Sequence, residues 1–549
     1  MAYFDLGRFT RPVTTSVPEA QLWFDRGLIW CYGYNHEEAV ACFKRALQAD
    51  PNCAMAQWGI AYATGPNYNM QWHHFDPAGK AQALATACDA TQAAMALRDR
   101  VTGPERALIE ALPARYPQRE TIEDQTPWNR AFAQAMRAAY AAHPQDLEVA
   151  AIFAEAIMNM TPWAMWDLAT GLAADGAGTE EARAVLETAL ARDPAASAHP
   201  GILHLYVHLM EMSPFPELAL QAGDRLRDLV PDAGHLIHMP THIDVQCGAY
   251  RDTLATNQRA IEADKKYRAH AGDMNFYTGY RVHNFHFAIY GAMLLGQYAP
   301  ALAAAEALNE TVPEALLRTQ SPPMADFLES YTASKLHVLI RFGKWREIIA
   351  LALPDDRELY CYRVATTEYA KGVAHAALGE LAEAEDAQAR FLTARDRVPE
   401  TRLLHNNSCL ALLAVAEAML AGEIAYRKGA HDAAFAHLRR AVALDDGLLY
   451  DEPWGWMQPT RHALGALLLE QGRIEESEQV YREDLGLAGR LPRAMVHPDN
   501  LWSLKGLYDC LTRRDAQAEA RLIKLRLEIA AARADIDVSV SCFCARAAE

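Results

Sequence analysis

The chain has 549 residues and a formal net charge of −18, with 51% apolar and 22% charged residues. The acidic balance, without any Lys/Arg cluster, excludes a nucleic-acid surface. The length exceeds one compact core, but a repeat array escapes that bound because each unit buries its apolar face only against its neighbours. No run of eighteen apolar residues suggests a membrane span, so no membrane partner is expected. The first thirty residues lack a basic start followed by an apolar run, so a cytoplasmic location is expected. Most of the ten cysteines lie scattered in helical text and read as reduced core residues.

In chain order, the first unit is AQLWFDRGLIWCYGYNHEEAVACFKRALQADP. It sets Ala39, Phe43, Ala46 and Pro51 at steps of four, three and five, with Trp23, Gly27 and Trp30 filling aromatic and small positions of the preceding helix. That is the A-x3-F…P pattern of a tetratricopeptide repeat. Small residues let the two helices approach, and the proline stops the second. The same steps recur at Ala182, Leu186, Ala189 and Pro194, and at Ala219, Gly223, Leu226 and Pro231. Weaker copies fall at Thr253/Asn257/Ala260 and Ala301/Ala305/Leu308, with later units anchored at Ile348, Ala384, Ala434, Ser477 and near Ala518. About ten units at roughly the expected period of 34 predict one all-α tetratricopeptide-repeat solenoid, a superhelix over residues 1–549. Long loops are expected at 64–82, 160–178, 264–280, 309–324 and 445–460.

Residues 201–290 form a His-rich segment: His204, His208, His235, His238, His242, His283 and His286 lie at spacings of three, four and seven. Counting back from each unit's first small residue on its second helix, His204, His238, His286 and His462 all lie fifteen residues before it. His208, His242, Tyr290 and His337 lie eleven before, and Gly201, His235 and His283 eighteen before. These slots form one stripe on the first helices, which line the concave surface of such an array. A His pair at i, i+4 can chelate a metal, and imidazole suits Zn, Cu, Fe and Ni. The seven histidines are therefore candidate metal ligands, with His235 and His283 as alternates or supporting partners. Glu211 is a candidate ligand or general base, and Tyr290 a proton donor or orienting group. His337, Arg461 and His462 are candidates for cofactor binding, with plain helix capping as the alternative for Arg461 and His462. A lone helix-face histidine is usually structural; seven in register across three repeats is a different pattern. The Met239-Pro240 step should break its helix. His405 falls outside the slots and reads as loop, and Trp58, Trp72, Trp163 and Trp166 read as packing residues.

The tail over residues 536–549 carries Cys542 and Cys544, which read as a metal pair, a redox pair or a free end; their i, i+2 spacing reads as poor for a mutual disulfide.

GHLIHMPTHI with the following Gly248, Tyr250, Asp252, Asn257, Arg259, Ala260, Ile261, Ala263 and Asp264 resembles a large bacterial tetratricopeptide-repeat family. So do NHEEAVACFKRALQADPNCAMAQWGIAYATGPNYN and YDEPWGWMQP followed by HALG, so the resemblance spans nearly the whole chain. It implies the repeat fold and brings no reaction with it. The vertebrate tetratricopeptide protein with an AHIHEM pattern is similar, more distantly, over residues 235–286. The residues themselves lead to a metal-dependent enzyme on a small-molecule substrate, with a mono- or dinuclear transition-metal site. Copper or iron is favoured, with zinc open, and oxidation is favoured over hydrolysis because histidines outnumber carboxylates in the slots. The alternative is a non-catalytic adaptor that binds a peptide or protein partner in the groove.

Overall fold

The computed structural model describes residues 3–545, and among them the chain is helical almost throughout. Strand is confined to two two-residue hairpins, Trp166–Asp167 with Leu172–Ala173 and Leu403–Leu404 with Asn407–Ser408. The helices pack as sequential antiparallel pairs, the architecture of an all-α tetratricopeptide-repeat solenoid. They divide into two compact units: one runs up to Ile243 and takes in Arg259–His270, the other holds Asp244–Gln258 and Ala271 onward.

In the first unit the pairs are Pro18–Tyr32 with His36–Ala49, Ala54–Thr64 with Pro77–Leu97, Gly103–Arg115 with Thr126–Ala142, Leu147–Met158 with Thr179–Arg192, and Pro200–Met210 with Leu220–Leu226. The first pair shows what holds them. Phe43 is fully buried, and its ring lies where a Cβ on Gly27, one helix back, or on Gly59, one helix on, would come within 2.6 Å. One aromatic ring thus fills the space left by a glycine of its own pair and by a glycine of the next. Helix starts are fixed locally: Asn35 and Asp146 accept backbone N–H groups in the first turns of their helices, and Thr102 and Glu105 form a capping box.

In the second unit the pairs are Thr278–Leu295 with Tyr298–Thr311, Ser334–Arg341 with Trp345–Ala350, Cys361–Ala377 with Leu381–Arg395, Cys409–Arg427 with His431–Asp446, Thr460–Glu470 with Ile474–Asp484, and Leu501–Arg513 with Gln517–Ala531. Here Tyr481 plays the part of Phe43, its ring against Gly465 and Gly506. Helix Cys409–Arg427 is long and apolar enough to cross a membrane, yet most of it is buried inside the protein.

Several expectations are corrected. The stretch 264–280 is not a loop: helix Tyr250–Ala271 takes its first part, and helix Thr278–Leu295 its end. In the last pair the buried small residue is Ala520 rather than Ala518. Cys542 and Cys544 are joined as a disulfide. The chain turns there through the short helix Phe543–Ala545, so their Cα atoms stand 5.2 Å apart, inside the range a disulfide spans.

The wedge predicts its own test. Phe43→Ala should cost about 3–5 kcal/mol of stability in urea unfolding, and Gly59→Ala, which overfills the same space, about 1–3 kcal/mol. A loss below about 0.5 kcal/mol for both, the size of an ordinary surface change, would show that the ring does not hold the pairs together.

Candidate metal centre

Five of the predicted histidines and Glu211 come together in the first unit. His204 and His208 sit one turn apart on helix Pro200–Met210, and Glu211 is its C-cap, one turn further on. Gly201 opens that helix against the Tyr32 ring, which a Cβ would meet at 2.3 Å. This close approach brings His204 Nδ1 within 2.7 Å of the Tyr32 carbonyl. A carbonyl only accepts, so Nδ1 carries the proton and Nε2 presents its lone pair.

The second run is broken as its proline requires. Helix Gly234–His238 ends at Met239, and Pro240 starts helix Pro240–Gln246. The Thr241 hydroxyl donates to the His238 carbonyl at 2.7 Å, whose usual helical donor, the His242 N–H, turns to the Met239 carbonyl at 3.1 Å instead. His235 Nε2 faces His204 Nε2 at 3.2 Å, and His238 Nε2 faces His242 Nε2 at 2.9 Å. Ring nitrogens of His204, His208 and His235 lie within 4.8 Å of one another. Two nitrogen donors on a tetrahedral ion with bonds of about 2.0–2.1 Å stand about 3.3 Å apart, so the His204–His235 separation suits a shared metal. It equally suits an N–H···N hydrogen bond between neutral rings.

Glu211 lies with its oxygens 3.0 Å from His208 Nδ1 and 2.5 Å from His242 Nδ1. The sequence offers it as ligand or general base; the structure gives it the position of a group that orients two imidazoles through their Nδ1 atoms, the common support of metal-bound histidine. All six side chains are at most 1% exposed. Burial, then the neighbouring His208 charge, holds the His204 pKa well below its usual value, and burial followed by the other imidazoles does the same for His235. Both rings are neutral at pH 7, the state that binds metal.

Tyr34 and Tyr68, which sequence reading did not select, and Trp163, which it read as packing, complete the cluster. The Tyr34 ring lies 4.6 Å from His204, 5.4 Å from His235 and 5.9 Å from His208. Tyr68 and Trp163 approach His208 at 4.9 and 5.7 Å. Tyr34 and Trp163 have φ of 52° and 58°, a left-handed backbone that is costly for aromatic residues and concentrates at functional sites. Nothing in GYN or in TPWAMW marks those angles.

The remaining candidates belong to the second unit. His405 lies, as read, in a loop, the turn of the hairpin over residues 403–408, where it pairs with Asp451 and stacks on His283 at 5.3 Å. His286 packs edge-on to Tyr331 and His337 edge-on to Trp456. Burial, then the charges of His337 and His405, depresses the His286 pKa to about 3, and burial alone takes His337 to about 4. Tyr290 lies 6.3 Å from His497, and burial pushes its hydroxyl pKa far up, with the Asp484, Asp445 and Glu452 charges adding to the effect. Arg461 forms a two-pronged pair with Asp446 at 2.5 and 2.7 Å. His462 accepts from Arg341 Nη1 at 2.8 Å and donates to Asp484 at 3.0 Å.

Residues 20–53 match the tetratricopeptide-repeat family profile. The chain matches no curated protein. Among solved structures, a monomeric mutant of IFIT1 with Gppp-AAAA aligns over 93% of this chain and 90% of its own at 12% identity, TM-score 0.32. Naa15/Naa10 bound to HypK aligns over 94% and 84% at 14% identity, TM-score 0.23. By its fold the chain is an all-α helical-repeat solenoid, with a tetratricopeptide repeat matched at residues 20–53 and a buried His/Glu cluster in its first unit.

The depressed histidines set a pH dependence. His286 and His337 stay neutral in the fold while the unfolded chain takes up protons below about pH 6.5, so the unfolded state gains protons as pH falls. Their contribution to stability is complete above about 6.5 and declines toward pH 4, at up to about 1.4 kcal/mol per pH unit for each group. In urea titrations between pH 7 and 4.5, His337→Gln should flatten the decline by about one group's share. An unchanged slope would mean that His337 protonates in place.

Proposed function

We propose that this chain is a metal-binding tetratricopeptide-repeat scaffold, with one transition-metal ion held by His204, His208 and His235 and with His238 and His242 beside them. The observation that carries this reading is the orientation of the rings. His204 is fixed through Nδ1 by the Tyr32 carbonyl, His208 and His242 are held through Nδ1 by Glu211, and imidazole nitrogens converge at metal-ligand spacing. An imidazole set suits copper, iron, nickel or zinc. When bound, such an ion supplies either redox chemistry or an activated water. The chain's own groups would hold it, keep its ligands neutral and exclude bulk water. Oxidation of a small molecule, favoured over hydrolysis, is the finer form of this proposal. It requires the fold to open, because every ring in the cluster is buried.

A second reading has an observation of its own. The match to the tetratricopeptide-repeat profile over residues 20–53 supports a groove-binding adaptor, the usual work of such repeats. In that reading the imidazoles are hydrogen-bonded partners in a polar core and no ion is needed.

Elemental analysis separates the two. Protein grown with Fe, Cu, Zn and Mn present should carry about one equivalent of metal, the stoichiometry of a three- or four-ligand site. His204→Ala and His208→Ala should each remove it while circular dichroism stays unchanged, and the double variant should lose little more than either single one. Less than about a tenth of an equivalent in the native protein would be far below that stoichiometry and would leave the adaptor reading in its place.

A further inference from the structure

The second unit holds a separate chemical feature that the metal cluster does not involve. A cavity of about 30 Å³ is lined by Arg341, Tyr369, Glu423, Trp456, Cys542 and Cys544. A water needs about 10–15 Å³ by this measure, so the space admits solvent. Its wall is the Cys542–Cys544 disulfide.

The segment that carries the disulfide is tied down at each step. The Ser541 hydroxyl bonds Tyr481 Oη at 2.6 Å, its carbonyl accepts from Arg341 Nη2 at 3.1 Å, and the Cys544 carbonyl accepts from Arg427. The Phe543 ring lies 6.1 Å from Trp502. The two residues differ in access. Cys544 is 3% exposed, whereas Cys542 is only partly buried.

The same cavity is lined by Glu423, a carboxyl 2% exposed one turn before the end of apolar helix Cys409–Arg427. Its Oε2 has no hydrogen-bond partner among the described residues. Burial raises its pKa to about 7, with the Arg427 charge opposing and the Glu470 charge adding; Arg341, Tyr369 and His462 are the other titratable groups on the cavity wall besides the cysteines. A buried carboxyl poised to gain and lose a proton, lining one small cavity together with a disulfide, is an arrangement that apolar packing alone would not select.

We propose that Cys542–Cys544 is a thiol–disulfide exchange site for a small thiol of the glutathione class, with Glu423 carrying the proton. The thiolate of the incoming molecule attacks Cys542 Sγ, on the more exposed residue. A mixed disulfide forms there, the Cys542–Cys544 bond breaks, and Cys544 leaves into the cavity and takes a proton from Glu423. A second thiol attacks the small-molecule sulfur of the mixed disulfide. The products are one small-molecule disulfide and two protein thiols, so two thiols in balance two electrons transferred. The Cys542 thiolate released in this step meets the Cys544 backbone N–H, which already points at its sulfur at 3.3 Å. The reverse sequence, driven by the oxidised small disulfide, closes the bond again. Seven of the other eight cysteines do not compete: burial raises the thiol pKa of Cys31, Cys42, Cys53, Cys88, Cys361, Cys409 and Cys510.

The test equilibrates the full chain, without denaturant, at graded ratios of reduced to oxidised glutathione, then alkylates and weighs its peptides. Cys542 and Cys544 should open and close together while those seven buried cysteines stay unmodified. Cys544→Ser should accumulate a glutathione adduct on Cys542, and Cys542→Ser should accumulate none on Cys544. Glu423→Gln, with helicity intact, should slow opening by about a hundredfold at pH 7, the lower range of proton-transfer catalysis, and should remove the inflection near that pH. Glu423→Asp should restore part of the rate. Opening that occurs only in urea would make the pair a structural staple and overturn the proposal. So would two thiols that oxidised glutathione fails to close, or a Glu423→Gln rate and pH profile equal to those of the unaltered protein.

Discussion

The pairing of helices rests on a ring set into a glycine gap. Phe43 and Tyr481 do the same work in different units, each filling the space above a glycine in its own pair and another in the next. The contact is local, so it sets the spacing between successive first helices without reference to distant parts of the chain. Everything said about the polar groups depends on that spacing. His204 reaches the Tyr32 carbonyl because Gly201 lets its helix close on Tyr32, the same device used a third time. A polar core is tolerable only when the scaffold holds donors and acceptors at fixed distances, since each unsatisfied buried group costs about 1–3 kcal/mol.

That spacing was legible in the sequence because it follows a period. Ala39, Phe43 and Ala46 announce their helix, and all three are buried on one of its faces. The register of His204, His208, His235, His238 and His242 was legible for the same reason, and the structure brings those five together with Glu211 in one unit. What has no period was not legible. Tyr34 and Trp163 reach the cluster from turns with φ above 50°, and nothing in a sequence marks an aromatic residue held in that conformation. The disulfide was missed on an argument from spacing alone, which a single helical turn at Phe543–Ala545 defeats. The polar composition of residues 264–280 reads as a loop and conceals a helix that runs on from Tyr250 to Ala271.

The character of Glu211 could be narrowed by sequence but not fixed. A carboxylate one turn beyond a histidine can ligate, accept a proton or orient a ring, and only the positions of His208 and His242 decide. With Nδ1 of both rings against its oxygens, Glu211 makes each ring a better electron donor at its other nitrogen. Its removal should therefore act through two histidines at once.

Each unit contains one buried carboxylate that holds two histidines, and comparing them shows why only one is read as a metal centre. Asp484 meets His462 at 3.0 Å and His497 at 2.8 Å, and also accepts from Asn500 and Ser503. Its pKa lies well below the carboxylate range; burial raises it, and the paired histidines more than offset that. Yet the second nitrogen of His462 is already taken by Arg341, whose guanidinium can only donate. A cation lies where a metal would have to sit, so the Asp484 network is closed and serves the fold. Around Glu211 the pattern is the reverse. One of the two rings it holds, His208, belongs to a group of three imidazoles whose nitrogens converge, and the rings of Tyr34, Tyr68 and Trp163 lie around it. The same carboxylate–histidine pair thus closes a charge network in one setting and points electron pairs at a shared position in the other. The difference lies in what meets the far side of the ring.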